Sequence, residues 1–228
     1  ELGSEEVSNG SFSQEGVELI TNGSFDTDSD WTLGTGVEIS NGKAVLTNVS
    51  TSTQCISQLN VVEIGKTYKI KFTISDYNQG AVYILRPTSL GAGTAVSSNG
   101  TFTFTLKAET STAFILFTVG TTTLSIDNVS VKEVGQDWEF QTGWSVGEDK
   151  AVAVNTGGIL SQSVSFVSGK TYKISYEIIA NSGTLFVQTN SNNFRTITSS
   201  GQYVDYITTT TDNVLRFNGS DGSAFDGS

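Results

Sequence analysis

The hexapeptide Gly-Lys-Thr-Tyr-Lys-Ile stands twice in this chain, at residues 65–70 and again at 169–174. Its flanks repeat with it. Ile56-Ser57-Gln58 precedes one copy and Leu160-Ser161-Gln162 the other. After each copy apolar residues continue at every second position, through Phe72 and Ile74 or Tyr176 and Ile178. Upstream, Trp31-Thr32 aligns with Trp144-Ser145, each behind an Asx-x-x-Phe element, Asn22-Gly23-Ser24-Phe25 or Asp137-Trp138-Glu139-Phe140. The hexapeptides lie 104 residues apart and the tryptophans 113. A repeat of that length gives each copy enough chain to close its own core. Residues 18–134 therefore read as one module and 135–228 as a second with a shorter first half.

The ends of the pattern are uneven. Asn9-Gly10-Ser11-Phe12 repeats Asn22-Gly23-Ser24-Phe25 only 13 residues earlier, too close for a domain between them, so residues 1–17 read as a partial repeat or linker. Module one closes on Ile126-Asp127-Asn128-Val129-Ser130-Val131-Lys132-Glu133-Val134, whereas the chain stops at Phe225-Asp226-Gly227-Ser228. Either Phe225-Asp226 replaces Ile126-Asp127, or module two lacks its last strand; the second reading is preferred. Glu1-Leu2-Gly3 resembles the tail of such a strand, and the chain begins without Met, which suggests a processed product or an excerpt.

Within a module the period is two. Tyr68, Ile70, Phe72 and Ile74 alternate with Lys69, Lys71 and Thr73, and Phe102, Phe104 and Leu106 alternate with threonines. One apolar face and one wet face is the pattern of an antiparallel strand. Asn41-Gly42 and Asn99-Gly100 supply turn residues that tolerate positive φ. Short β-branched and aromatic strands between frequent turns predict an all-β fold of two tandem antiparallel β-sandwich (jelly-roll) domains, without a helix of useful length.

Charge and composition narrow the chemistry. The net charge is −11, and no basic run is present to neutralise phosphates, which argues against nucleic acid and against an anionic membrane surface. No apolar stretch approaches the roughly 18 residues of a membrane span. A neutral sugar or a divalent cation is compatible with this balance. The chain has no histidine, so Ser-His-Asp and Cys-His catalysis and histidine metal sites are ruled out. Its single cysteine, Cys55, is expected to be a buried strand residue. A glycosidase needs two carboxylates about 5–9.5 Å apart, and no acid pair recurs in both modules. The chain reads as non-enzymatic.

The order Asn-Gly-Ser-Phe-Asp, Trp, Gly-Lys-Thr-Tyr-Lys-Ile, Ile-Asp-Asn-Val-Ser-Val resembles the jelly-roll carbohydrate-binding modules attached to xylanases and cellulases, within the wider galactose-binding-like group. The Ser/Thr/Asn/Gly richness more loosely resembles phage virion proteins. The first resemblance implies non-catalytic glycan binding and a structural Ca²⁺ where the first and last strands meet. Its ligands would be Asp26, Asp127 and the carbonyl of Asn22. In module two Gln141 would replace Asp26, leaving only Asp226. The run Asp26-Thr27-Asp28-Ser29-Asp30 lacks the glycine and distant glutamate of an EF-hand.

A glycan site needs outward aromatic faces and hydrogen-bonding groups. If Val82 and Ile84 face inward, Tyr83 faces outward with Arg86 at the strand end. Module two offers Phe186, Gln188, Arg195 in a loop, and Arg216. Trp31 and Trp144 are expected to plug the cores. Two functions compete: a glycan- or polysaccharide-binding pair in a larger extracellular, cell-surface or virion protein, and a structural or adhesion repeat that assembles with neighbouring copies through strand edges.

Overall fold

A computed structural model describes residues 3–86, 95–190, 192–211, 213–219 and 222–228; the side chains of residues 85 and 86 lie outside that description. Among the described residues every regular element is a β-strand and every pairing is antiparallel, the all-β arrangement that the alternation demands. The strands form two compact units: a continuous one, Glu15–Val134, and a discontinuous one, Glu1–Gln14 with Gly135–Ser228. Residues 1–14 are thus part of the second sandwich rather than a linker, and the first begins at Glu15.

The continuous unit holds β1 (Glu15–Glu18), β2 (Thr32–Leu33), β3 (Val37–Ser40), β4 (Lys43–Val49), β5 (Gln54–Gln58), β6 (Thr67–Arg86), β7 (Gly100–Lys107) and β8 (Phe114–Val134). The first part of β6 pairs with β7 on one side and the end of β8 on the other; its second part pairs with the start of β8, which continues to β5 and β2. Register shifts near residues 71–81 bend β6 between these two roles. Tyr68, Ile70, Phe72 and Ile74 are each at most 1% exposed, and Val82 and Ile84 also face inward. Asn41-Gly42 closes the β3–β4 hairpin at φ of 53° and 69°. Trp31 plugs this core, its ring stacked 5.0 Å from Phe25.

The discontinuous unit holds β9 (Glu139–Phe140), β10 (Trp144–Gly147), β11 (Lys150–Thr156), β12 (Ile159–Ser163), β13 (Thr171–Ile178), β14 (Ala180–Ser182), β15 (Leu185–Thr189), β16 (Asn192–Ile197), β17 (Gly201–Thr208), β18 (Val214–Gly219) and β19 (Phe225–Gly227). β13 pairs with β17 in the register of β6 with β7: Thr171 opposes Thr208 and Ile178 opposes Gly201, as Thr67 opposes Lys107 and Ile74 opposes Gly100. β19 pairs with β11, placing Phe225 opposite Thr156 where Thr122 stands opposite Val49. Phe225-Asp226 thus occupies the level of Thr122-Thr123, not that of Ile126-Asp127.

Residues 9–12 supply the second sandwich with its opening motif. Trp138 Nε1 donates to Asn9 O at 3.2 Å, as Trp31 Nε1 donates to Asn22 O at 2.8 Å. Phe12 lies 5.1 Å from Trp138, as Phe25 lies 5.0 Å from Trp31. The Gln162 amide clamps the backbone of Ser8 through both N–H and C=O, as Gln58 clamps Thr21. Asn9 Oδ1 accepts from Gln14 N, as Asn22 Oδ1 accepts from Thr27 N. The counterpart of Trp31 is therefore Trp138, and Trp144 takes the place of Val37 opposite β11, where it packs on Phe225. In chain order one unit is nested in the other. Glu15 lies opposite Val134, so the inserted chain leaves and returns at adjacent points, the condition under which insertion leaves a host fold intact.

Candidate ligand-binding faces

In the discontinuous unit, Leu185 and Val187 point into the core, so the intervening Phe186 and Gln188 are turned to the other face of the sheet, both half-buried. Cross-strand pairing puts Arg216 opposite Gln188 and Asn218 opposite Phe186. Asn218 Nδ2 donates to Gln188 Oε1 at 3.4 Å, and Arg216 donates to Asn190 O at 2.6 Å. Ser161 stands next to Arg216 on β12 and Glu139 next to Ser161 on β9. The sheet thus carries one aromatic ring, two amides, a guanidinium and, at its edge, a carboxylate. Three of the expected residues, Phe186, Gln188 and Arg216, share this face. Asn218 was not singled out from the sequence, although it stands two residues after Arg216 on the same strand and shares its face for that reason.

The corresponding face of the continuous unit carries Tyr83. Its direct cross-strand neighbour is Phe117, with ring centroids 6.1 Å apart, and Gln54 lies opposite Phe117 on β5. All three are half-buried, while Val82, Ile84 and Leu116 between them fill the core. Leu116 opposes Ile84 as Phe217 opposes Val187, so Tyr83 and Phe186 hold the same position in the two units. The backbone of Arg86 pairs with Ile115; its side chain lies outside the described residues.

Arg195 does not join either face. It lies on β16, not in a loop, opposite the buried Val187, and the register shifts at that point. Its Nε donates to both carboxylate oxygens of Asp205 at 2.8 Å, and its guanidinium carbon sits 5.4 Å from the Tyr203 ring. Tyr176 OH donates to the same carboxylate at 2.7 Å. The guanidinium holds the Asp205 carboxyl below the ordinary carboxylate range, against the opposing effect of burial. Burial first, then the adjacent carboxylate, push the Tyr176 phenol upward. At the matching positions the continuous unit has Phe72, Phe102 and Phe104. A polar network thus replaces an aromatic cluster.

The residues expected to hold calcium each make hydrogen bonds within the chain. The Asn22 carbonyl accepts Phe25 N at 3.1 Å and Trp31 Nε1 at 2.8 Å, which uses both of its lone pairs. Asn22 Nδ2 donates to the carbonyls of Thr27 and Ser29. Asp26 accepts from Ser24 Oγ, and Asp127 accepts the amide of Asn128. The counterpart of Asp26 in the other unit is Ser13, not Gln141, given the matching of Phe12 with Phe25. Among the described residues no group of three or more acidic, histidine or cysteine side chains could hold a metal.

The outer surface of β6, β7 and β8 forms a polar groove of ≈ 810 Å³ lined by Lys69, Lys71, Thr73, Thr101, Ser130 and Lys132 among others. Glu15 bridges Lys69 and Lys132 at 2.8 and 3.1 Å. The groove has hydroxyls and cations but no aromatic ring. Cys55 is fully buried, its thiol pushed up to about 12 by desolvation, which removes it from nucleophilic chemistry.

No family model and no curated protein matches this chain. Among solved structures, the N-terminal CBM22-1-CBM22-2 tandem domain from Paenibacillus barcinonensis Xyn10C is similar at 11% identity and a TM-score of 0.37, over 94% of this chain and 89% of that one. No helix of the described residues is long and apolar enough to cross a membrane.

Proposed function

We propose that both units are non-catalytic carbohydrate-binding modules belonging to a larger extracellular, cell-surface or virion protein, each binding a glycan on the outward face that carries Tyr83 or Phe186. The observation that supports this reading is the recurrence of an aromatic ring at one register position in both units, beside amide side chains. Sugar rings present C–H-rich faces to an aromatic surface and hydroxyls to amides and guanidinium groups. Phe186 would stack a sugar ring while Gln188, Asn218 and Arg216 bond its hydroxyls; Tyr83 and Phe117 would stack one beside Gln54. A neutral polysaccharide suits a chain whose net charge of −11 would repel an acidic one.

Titration of the full chain against neutral oligosaccharides, followed by calorimetry, tests this. Phe186→Ala and Tyr83→Ala are each expected to weaken binding at their own unit by about tenfold, a cost of about 1.4 kcal/mol, without lowering the melting temperature by more than a few degrees. Binding that is unaffected by both changes would refute the assignment of these faces.

A further inference from the structure

We propose that the polar groove on the outer surface of β6, β7 and β8 is a separate ligand site, where Lys71 takes the carboxylate or sulfate of a sparsely charged glycan. Tyr83 does not line this groove. The site goes beyond the glycan reading of the aromatic faces and does not depend on it.

The groove measures ≈ 810 Å³, within the range of about 300–1,000 Å³ that small-molecule sites span. Three of the chain's 12 cationic residues, Lys69, Lys71 and Lys132, line it with two carboxylates, Glu15 and Glu18. One positive charge is thus in surplus here, in a chain of net charge −11. Both carboxylates are engaged. Glu15 is shared between Lys69 and Lys132, at 2.8 and 3.1 Å. Those two lysines stand directly opposite each other across β6 and β8, a like-charge pairing that costs stability and that a shared anion relieves. Glu18 spends its oxygens on the amides of Leu19, Ile20 and Val131 and on Ser130 Oγ. Lys71 is exposed and has no hydrogen-bond or ion-pair partner among the described residues.

Lys71 is the centre of a polar row. Thr103 stands opposite it on β7 and Ser130 opposite it on β8, each about 5 Å away across the strands. Next on the same face of β6, the Thr73 hydroxyl bonds that of Thr101 at 3.0 Å. The other unit shows that this arrangement is not a default of the fold. The register that matches β13 and β17 with β6 and β7 puts Ser175 at the place of Lys71 and Glu177 at that of Thr73. Val204 takes the place of Thr103 and Gln202 that of Thr101. That face has exchanged the cation and its hydroxyl neighbours for a carboxylate and an apolar side chain. The ligand's chemistry follows from the groove. An oxyanion completes Lys71, and the surrounding hydroxyls suit those of a sugar. A densely charged polymer such as nucleic acid does not fit, because one surplus cation neutralises one charge and the net charge of −11 repels the rest. A mostly neutral glycan with well-spaced acid groups meets both conditions.

The test uses the full 228-residue chain and a hyaluronan tetrasaccharide, in which alternate sugars carry a carboxylate, beside its carboxyl-reduced, uncharged form. Calorimetric titration at low salt is expected to show the acidic form bound about tenfold more tightly than the reduced form, with the difference shrinking severalfold at about 0.15 M NaCl. Lys71→Ala is expected to remove that preference and Lys71→Arg to keep it. Thr103→Val is expected to weaken binding of the acidic form by about threefold. Lys71 and Thr103 are both exposed, so the fold tolerates these changes. Tyr83→Ala and Phe186→Ala are expected to leave the preference intact, which separates this site from the aromatic faces. Four results would each overturn the proposal: no binding of the acidic form, equal affinity for the reduced form, a preference that survives Lys71→Ala, or its loss in Tyr83→Ala or Phe186→Ala. Inorganic sulfate that binds as tightly as the tetrasaccharide would overturn the assignment to a glycan and leave a site for small anions alone.

Discussion

Gly23→Ala is expected to destabilise the continuous unit by about 3 kcal/mol, near the upper end for overpacking. The added methyl would fall within bonding distance of the Val129 carbonyl oxygen, a backbone atom that cannot swing away. Relief requires the closing strand to shift, which breaks the Val129 N to Gly23 O bond and disturbs the two bonds that Glu18 makes to Ser130 and Val131. Urea unfolding of the full chain should show the transition of the continuous unit moving to lower denaturant while that of the other unit stays in place. A loss under about 0.5 kcal/mol, the range of an ordinary surface change, would mean that the strand is not held as closely as described.

Asp205→Ala carries the second large effect, about 1–3 kcal/mol in the discontinuous unit, because it leaves the Tyr176 hydroxyl without its acceptor inside the sandwich. The sign of its pH dependence follows from the depressed carboxyl. The stabilisation from ionised Asp205 is fully present above the ordinary aspartate value of about 3.9 and is lost as pH falls through its lower value in the folded unit. The native chain should therefore lose stability in acid more steeply than the variant. The double change Tyr176→Phe with Asp205→Phe restores the apolar pattern of Phe72 and Phe104, and is expected to recover most of the loss, since apolar replacement of a buried polar network is often neutral. A double variant no more stable than Asp205→Ala would show that the network does more than fill space.

Much of this architecture was legible in the chain. Period-two alternation placed Ile70, Phe72 and Ile74 inside, and the same rule applied to Val82 and Ile84 turned Tyr83 outward. The recurrence of Gly-Lys-Thr-Tyr-Lys-Ile fixed two units and the correspondence of β6 with β13. The nesting was not legible, because the bond that reveals it joins Asn9 to Trp138 across the whole continuous unit. Local similarity favoured Trp144-Ser145 as the partner of Trp31-Thr32, yet the side-chain clamp at Gln162 and the stack on Phe12 select Trp138. Arg195 was read as a loop residue because nothing near Phe194 discloses the register shift at Val187, and its partner Asp205 lies on another strand. The carbonyl of Asn22, which the family order names with Asp26 and Asp127, accepts from Phe25 N and Trp31 Nε1, bonds that spacing alone does not disclose.

The nested arrangement gives the second sandwich an opening motif from the N-terminal segment. Ser8, Asn9 and Phe12 together supply the clamp on Gln162, the acceptor for Trp138 and a ring against Trp138 and Phe140. The most direct measurement compares urea unfolding of the full chain with that of residues 15–228, followed by tryptophan fluorescence and by hydrogen exchange to assign each transition. The account predicts that the truncated chain keeps the transition of Glu15–Val134 at its original midpoint and loses, or shifts strongly downward, that of residues 135–228. Two transitions with unchanged midpoints would show that the second sandwich closes without its opening motif, and the nested reading would be wrong.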